Sequence, residues 1–438
     1  MDISNLWAFV LGSTAGVVTG IMPGIGPAHL LAILYYWLTG WNPVNLVIFY
    51  IAYITVSNFV DAIPSLYFGV PGEISAVPAS RESQNLAQQG LTQRTIKLCS
   101  IGRLVGAMFA LALSSVIVGW IVNWPQIFSS AVQMSLYCFT LICIFFSGNN
   151  TWWRNLIFML LGLLLSMVGY NYYTQQTYAT FGWFDLYNGI PVLPLLIGIY
   201  VLPMLWSTTN LAQIKVLAQT TQTQKQNYLP SMLRGTAIGY VLGLVPGMSY
   251  ILGSTAAYNF ERWWLNRSGN KYNTSMASVV ASETASNTGS ASLLIPLLLF
   301  GIPIIASEVI IFDLLVDAGA VFTQGNFLKA HYQSFALWFL AACMVGFVLS
   351  WPLAEQFKKL IVYAASKKFV FVLTVLILIS VLLDATQNQK VVLYLVVLAT
   401  SFGVGWWLKK YDIMPFVFVF VLGASLQSVF YNLYQLYF

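Results

Sequence analysis

Two short stretches gather polar, ligand-capable side chains inside an otherwise apolar chain. Thr55-Val-Ser-Asn58 runs on to Asp61, and Ser282-Glu-Thr-Ala-Ser-Asn-Thr288 carries Glu283 and Asn287. Acids at membrane depth are functional candidates by default, so Asn58, Asp61, Glu283 and Asn287 are expected as ligands of a sodium ion or as proton carriers. Proline and glycine motifs flank both stretches. Pro23, Gly24 and Gly26 precede the first, and Gly69, Pro71 and Gly72 follow it. Pro246, Gly247 and Ser249 precede the second, and Gly301 and Pro303 follow it. Each helix break at such motifs leaves unpaired N–H groups and about half a positive charge. Helix ends of this kind bind carboxylates. With Ser57, Asn58, Ser286, Asn287 and Thr288 as neutral donors and acceptors, these positions form the expected anion site.

Other chemistries lack their residues. His29 and His331 are the only histidines, and Cys99, Cys138, Cys143 and Cys343 have no metal-ligand spacing. Buried free thiols are expected, with no transition-metal site and no cofactor beyond a coupling Na+ or H+. There is no His-Glu-x-x-His, no Gly-x-Ser-x-Gly and no paired-acid signature, so no catalytic residue is expected.

The elements that must position these residues are duplicated. Ile63–Pro71 reads IPSLYFGVP and Ile295–Pro303 reads IPLLLFGIP, identical at six of nine positions. Thr55–Asn58 answers Thr284–Asn287, and Met22–Gly26 answers Val245–Ser249. The order is the same in both halves, and the offset between copies widens only slightly from the first pair of motifs to the last. Such a repeat is sought before other features because it dictates the architecture. Each copy is expected to contain a Pro-Gly break, a polar Ser-Asn break and a Gly-x-Pro break.

Of the 438 residues, 58% are hydrophobic and 7% charged, against about 25% charged in a soluble domain. No soluble surface can be built from this inventory, so a multi-pass protein of the lipid bilayer is expected. Its +6 charge is no nucleic-acid footprint, because the basic residues sit in short loops between apolar runs. Asp2, with no basic residue beside it, argues against a cleaved signal peptide. Apolar runs fall near 98–122, 128–147, 155–170, 187–206, 333–354, 370–384, 391–408 and 413–435, besides the broken regions 5–72 and 231–320. The fold class expected is all-α and polytopic, with discontinuous helices or re-entrant hairpins and about 10–14 membrane segments. One half spans 1–206, a polar connector 207–230, and the second half 231–438.

With the N-terminus outside, Arg81, Arg94, Lys97, Arg154, Lys215, Lys225, Arg262, Arg267, Lys271 and the basic pairs at 358–359, 367–368 and 409–410 all fall on the cytoplasmic side. Only Lys329 and Lys390 fall clearly outside, which is the bias of a cytoplasmic-membrane protein. Equivalent loops of the two copies carry opposite charge bias, so the repeats are expected to be inverted, as in many secondary transporters.

No Lys or Arg lies within 5–72 or between Lys271 and Lys329. A carboxylate is therefore expected to meet amide dipoles and bound cations, not an arginine clamp. The other acids near the repeats are Glu73, Glu308, Asp313 and Asp317; Glu73, Asp313 and Asp317 are expected in solvated positions. Trp152, Trp153, Trp263, Trp264, Trp406 and Trp407 neighbour basic residues, as an interfacial belt does.

Met22-Pro-Gly-Ile-Gly-Pro27, Gly69-Val-Pro-Gly72, Val245-Pro-Gly247 with Ala256-Ala-Tyr258 and Glu261, and Ser282–Asn287 running into Gly301-Ile-Pro303 form an ordered set. This set resembles the large membrane subunit of tripartite tricarboxylate transporters, the TctA type. The resemblance implies a cation-coupled symporter importing a di- or tricarboxylate across the cytoplasmic membrane. It also implies two partners, a small four-span membrane subunit and a periplasmic solute-binding protein. A homo-oligomer is possible. Two other classes stay open: a stand-alone carrier of another organic anion or small metabolite, and, remotely, an intramembrane enzyme.

Overall fold

In the computed structural model, residues 3–22, 26–69, 74–124, 129–146, 150–171, 175–203, 227–244, 249–268, 273–322, 325–357 and 367–437 are described. The connector expected at 207–230 lies almost wholly outside them. The first half comprises α1 (Ile3–Ile21), α2 (Pro27–Leu38), α3 (Pro43–Val60), α4 (Ala62–Phe68), α5 (Val77–Gln88), α6 (Thr92–Val122), α7 (Ser130–Phe146), α8 (Trp152–Ser166) and α9 (Val192–Leu196). The second comprises α10 (Leu229–Gly243), α11 (Ser249–Ser268), α12 (Thr274–Phe300), α13 (Ala306–Asp317), α14 (Asn326–Ser350), α15 (Lys367–Gln387), α16 (Val391–Leu408) and α17 (Met414–Tyr437). A two-stranded antiparallel hairpin, Gly169–Asn171 with Gln176–Tyr178, ornaments the aromatic loop after α8.

Among the described residues five helical segments are long and apolar enough to cross a membrane: Ile3–Ile21, Pro43–Phe68, Thr92–Ile121, Asn326–Ser350 and Val391–Leu408. Shorter apolar helices include α2, α8 and α15. The belt tryptophans, Trp152, Trp153, Trp263, Trp264, Trp406 and Trp407, are all exposed. Arg154 lies over Trp153 at 4.9 Å and Lys409 over Trp406 at 3.7 Å, an arrangement that suits an interface where rings meet lipid and cations meet water. Of the free thiols, Cys99 and Cys343 are buried as expected, whereas Cys138 is exposed, because it sits on the outward face of a peripheral helix.

At the centre lie α3 and α12, buried over most of their length. Each carries a glycine-faced partner. Gly12, Gly16 and Gly20 of α1 lie so close to α3 that a Cβ on them would strike the Phe49, Tyr53 and Ser57 carbonyl oxygens. Gly235, Gly239 and Gly243 of α10 lie likewise against Ala281, Ala285 and Gly289 of α12. Within the membrane, where burial of apolar surface adds little, small residues permit this backbone approach and its dispersion energy. Gly12 corresponds to Gly235 as Met22 does to Val245, so the same three glycines of each copy face a central helix.

Both Gly-x-Pro motifs end a helix in the same way. Gly69 (φ +69) and Gly301 (φ +66) are left-handed caps of α4 and α12. That conformation burdens residues bearing a Cβ and frees glycine. The expected Ser-Asn breaks are corrected. Asn58 lies inside α3, and the segment 284–288 lies in the middle of an uninterrupted α12. Hydroxyls take up the polarity instead: Thr284 donates to the Val280 carbonyl at 2.7 Å and Thr288 to the Thr284 carbonyl at 2.7 Å. Back-bonding of this kind satisfies the side chain without unwinding the helix. In the first copy Asp61, with right-handed helical dihedrals, separates α3 from α4. Pro64, in α4, has its counterpart in Pro296, which α12 accommodates without a break.

Candidate functional site

Three buried ionisable side chains converge from three helices. Asp61 closes α3, Glu283 projects from α12 and Arg103 from α6, each with 1% of its side chain exposed. The Arg103 guanidinium donates through Nη2 to Asp61 Oδ1 at 2.5 Å and also to Glu283 Oε2, and through Nη1 to the Phe59 carbonyl at 2.6 Å. One cation thus joins an acid of the first copy to an acid of the second. Counted as ionised, the three groups carry one net negative charge. Asp61 Oδ2 and Glu283 Oε1 have no hydrogen-bond partner among the described residues, although both are buried. Uncompensated charge in such surroundings costs several kcal/mol.

The amides and hydroxyls extend the cluster. Asn58 donates from Nδ2 to Ser290 Oγ at 2.6 Å, Ser290 Oγ donates to the Asn287 carbonyl at 2.9 Å, and Asn287 Nδ2 donates to the Arg103 carbonyl at 2.9 Å. The two expected asparagines are thereby linked by one serine and tied to the arginine's own helix. Asn58 Oδ1 and Ser286 Oγ remain buried and without partners among the described residues. Thr288 is placed differently: its hydroxyl is turned to its own helix, and it packs on Gly106 of α6. Ser57 is buried against Gly20 of α1.

Of the motif residues, Gly26 caps α2, where its carbonyl lies 3.1 Å from a ring nitrogen of His29. Ser249 opens α11. Pro23, Gly24, Pro71, Gly72, Pro246 and Gly247 lie outside the described residues, as does Glu73. Asp313 departs from the solvated position expected for it. It is half-buried and accepts a hydrogen bond from Tyr35 at 2.8 Å, because α13 packs on α2. Asp317 is exposed.

The Tyr35–Asp313 contact has a reciprocal. Tyr258 of α11 donates to Glu82 of α5 at 2.5 Å, and Arg262 joins them at 2.8 Å. Tyr35 corresponds to Tyr258 in the register that relates Met22 to Val245, and Glu82 falls one residue from Asp313 in the register that relates Ile63 to Ile295. A tyrosine of each copy therefore reaches an acid within one residue of the matching place in the other.

Arg103 is the member of the buried cluster that sequence reasoning missed. It lies outside both repeat windows, and counting cations only within them hid it. The signal was present: a single arginine inside the apolar run 98–122 is an intramembrane charge that needs a partner. A cavity of about 60 Å³, lined by Ile51, Ala110, Ala291 and Leu294 among others, lies beside Ser290 along α12. A more polar cleft of about 490 Å³ is lined by Asn123, Lys329, Tyr332 and Gln333. Tyr332 borders both, and its hydroxyl meets that of Ser115 at 2.8 Å. The smaller cavity is well below the ~300–1,000 Å³ of ordinary ligand pockets.

An uncharacterised 52.8 kDa protein from the TAR-I ttuC' 3' region of Agrobacterium vitis is 23% identical over 308 residues, covering 69% of this chain and 61% of its own length. An uncharacterised protein of Methanocaldococcus jannaschii is 23% identical over 283 residues, covering 64% of this chain and 66% of its own. The chain thus spans less than two thirds of the length of the curated relatives it matches. No solved structure matches it significantly. The profile described as the tripartite tricarboxylate transporter TctA family matches residues 6–420, nearly the whole sequence. By that match, the chain belongs to the tripartite tricarboxylate transporter TctA family.

Proposed function

We propose that this protein is the large permease subunit of a binding-protein-dependent carrier that imports a di- or tricarboxylate with a coupling cation, Na+ or H+. The observation that carries this reading is the buried cluster in which Arg103 bridges Asp61 and Glu283 while Ser290 links Asn58 to Asn287. Its net negative charge calls for a cation, and a carboxylate arriving with that cation would meet amide and hydroxyl donors. The reciprocal tyrosine–acid contacts support a dyad relation between the copies. An inverted pair of repeats in the membrane is the reading they favour together with the loop charges, with the N-terminus outside the cytoplasmic membrane. In it, the Tyr35–Asp313 contact closes one side and the Tyr258–Glu82 contact the other.

A small four-span subunit and a periplasmic solute-binding protein complete the system. A stand-alone carrier differs in needing neither. Uptake into vesicles containing the purified protein tests the reading, with labelled citrate, succinate and malate under imposed sodium or proton gradients, with and without those partners. Accumulation of at least one carboxylate that collapses with the cation gradient is expected. Absence of any gradient-driven accumulation in the complete system would overturn the reading.

A further inference from the structure

Glu308 stands apart from the Arg103 cluster and has no role in it. It is the third residue of α13, which begins just after the Gly301-Ile-Pro303 cap of α12. Its side chain is fully buried. Oε2 accepts the Ile304 N–H at 2.6 Å, and Oε1 has no hydrogen-bond partner among the described residues. None of the ion pairs among those residues includes it.

Helix capping alone does not account for an acid here. A glutamate or a glutamine at this position can reach back to the N–H groups that open a helix. Glutamine would do so without an ionisable group in an apolar interior. In the register that pairs Glu82 with Asp313 the first-copy counterpart of Glu308 is Val77, so the architecture does not require a side-chain cap at that place. The elements packed on α13 are α2, α3, α9 and α17. Their titratable groups are His29, Tyr35 and Tyr36 on α2, Tyr50 and Tyr53 on α3, and Tyr431, Tyr434 and Tyr437 on α17. Asp61 closes α3, and Asp313 and Asp317 lie on α13 itself. None of these elements contributes a lysine or arginine. Ser307, the neighbour in sequence, is engaged by the Tyr50 hydroxyl at 3.0 Å. Among the described residues an ionised Glu308 has only the backbone N–H groups of Ile304 and Ile305 to face it and no cation, and a proton taken from water would relieve it of that charge.

We propose that Glu308 is a proton-binding site of the transport cycle, taking a proton at Oε1 from water on one side and releasing it to water on the other. The O–H bond formed at loading is the one broken at release, so each turnover carries one proton and leaves the carboxyl unchanged. This rests on the transport reading above and adds a site separate from the Arg103 cluster.

Glu308→Gln tests it, because the amide oxygen can still accept the Ile304 N–H. In the infrared spectrum at neutral pH, the wild type should show a protonated-carboxyl band that Glu308→Gln lacks. In vesicles, Glu308→Gln should lose pH-gradient-driven accumulation of labelled citrate while retaining citrate–citrate exchange. Identical carboxyl bands, or undiminished pH-driven accumulation by the variant, would overturn the proposal. If the wild type moved no citrate under any gradient, the transport reading would fall, and the infrared comparison would decide the proton site by itself.

Discussion

Replacing Arg103 by methionine removes the cation that both central acids face. Asp61 and Glu283, each 1% exposed, then lose their ionic partner together, and the Phe59 carbonyl loses a donor. Breaking one buried pair costs about 3–5 kcal/mol, much of it from leaving the remaining charge unpaired. Two orphaned carboxylates set the expected loss at or above that range. Arg103→Met should therefore melt far below the wild type in detergent, measured as the monodisperse fraction surviving a heating series. The informative comparison is the triple variant Arg103→Met, Asp61→Asn, Glu283→Gln. Neutral replacement of a complete buried ion cluster is often neutral or stabilising, so the triple variant should recover most of the lost stability. It should nevertheless lose cation-driven uptake. Wild-type melting of Arg103→Met would refute the coupling of the three charges. Wild-type cation dependence in the triple variant would remove the cluster from the transport mechanism.

Three further outcomes follow from single contacts. Asn287→Ala deletes the donor to the Arg103 carbonyl and should abolish uptake while the protein still inserts; an orphaned carbonyl costs about 1–3 kcal/mol, so purified yield is the control and normal kinetics would dismiss Asn287 from the site. Gly16→Val and Gly239→Val each drive a Cβ into the facing helix, at Tyr53 and Ala285 respectively, and should lower thermal stability by about 1–3 kcal/mol or more; a tolerant variant would contradict that helix pair. Tyr35→Phe and Tyr258→Phe each lose one hydrogen bond to an acid, worth about 0.5–1.5 kcal/mol. They should shift the labelling of single-cysteine probes on the two faces in opposite directions, and a shift of the same sign in both would refute their assignment to opposite sides.

Much was legible because it depends on local chemistry or on repetition. Composition alone demands a bilayer, since so few charges cannot cover a soluble surface. The register that relates Met22 to Val245, read from short motifs, also relates the three packing glycines of α1 to those of α10, because duplicated segments keep the small residues that let backbones meet. The left-handed caps at Gly69 and Gly301 follow from the same motifs, as only glycine holds that conformation without penalty. Other features needed the fold. Serine and asparagine next to one another read as a helix break, yet in α12 the hydroxyls bond to carbonyls one turn back and the helix continues. Asp313 reads as a solvated acid until α2 brings Tyr35 against it. Above all, Arg103 lies 42 residues from Asp61 and 180 from Glu283 in the chain. No local pattern pairs them; three packed helices do, because a buried guanidinium must find carboxylates wherever the packing places them.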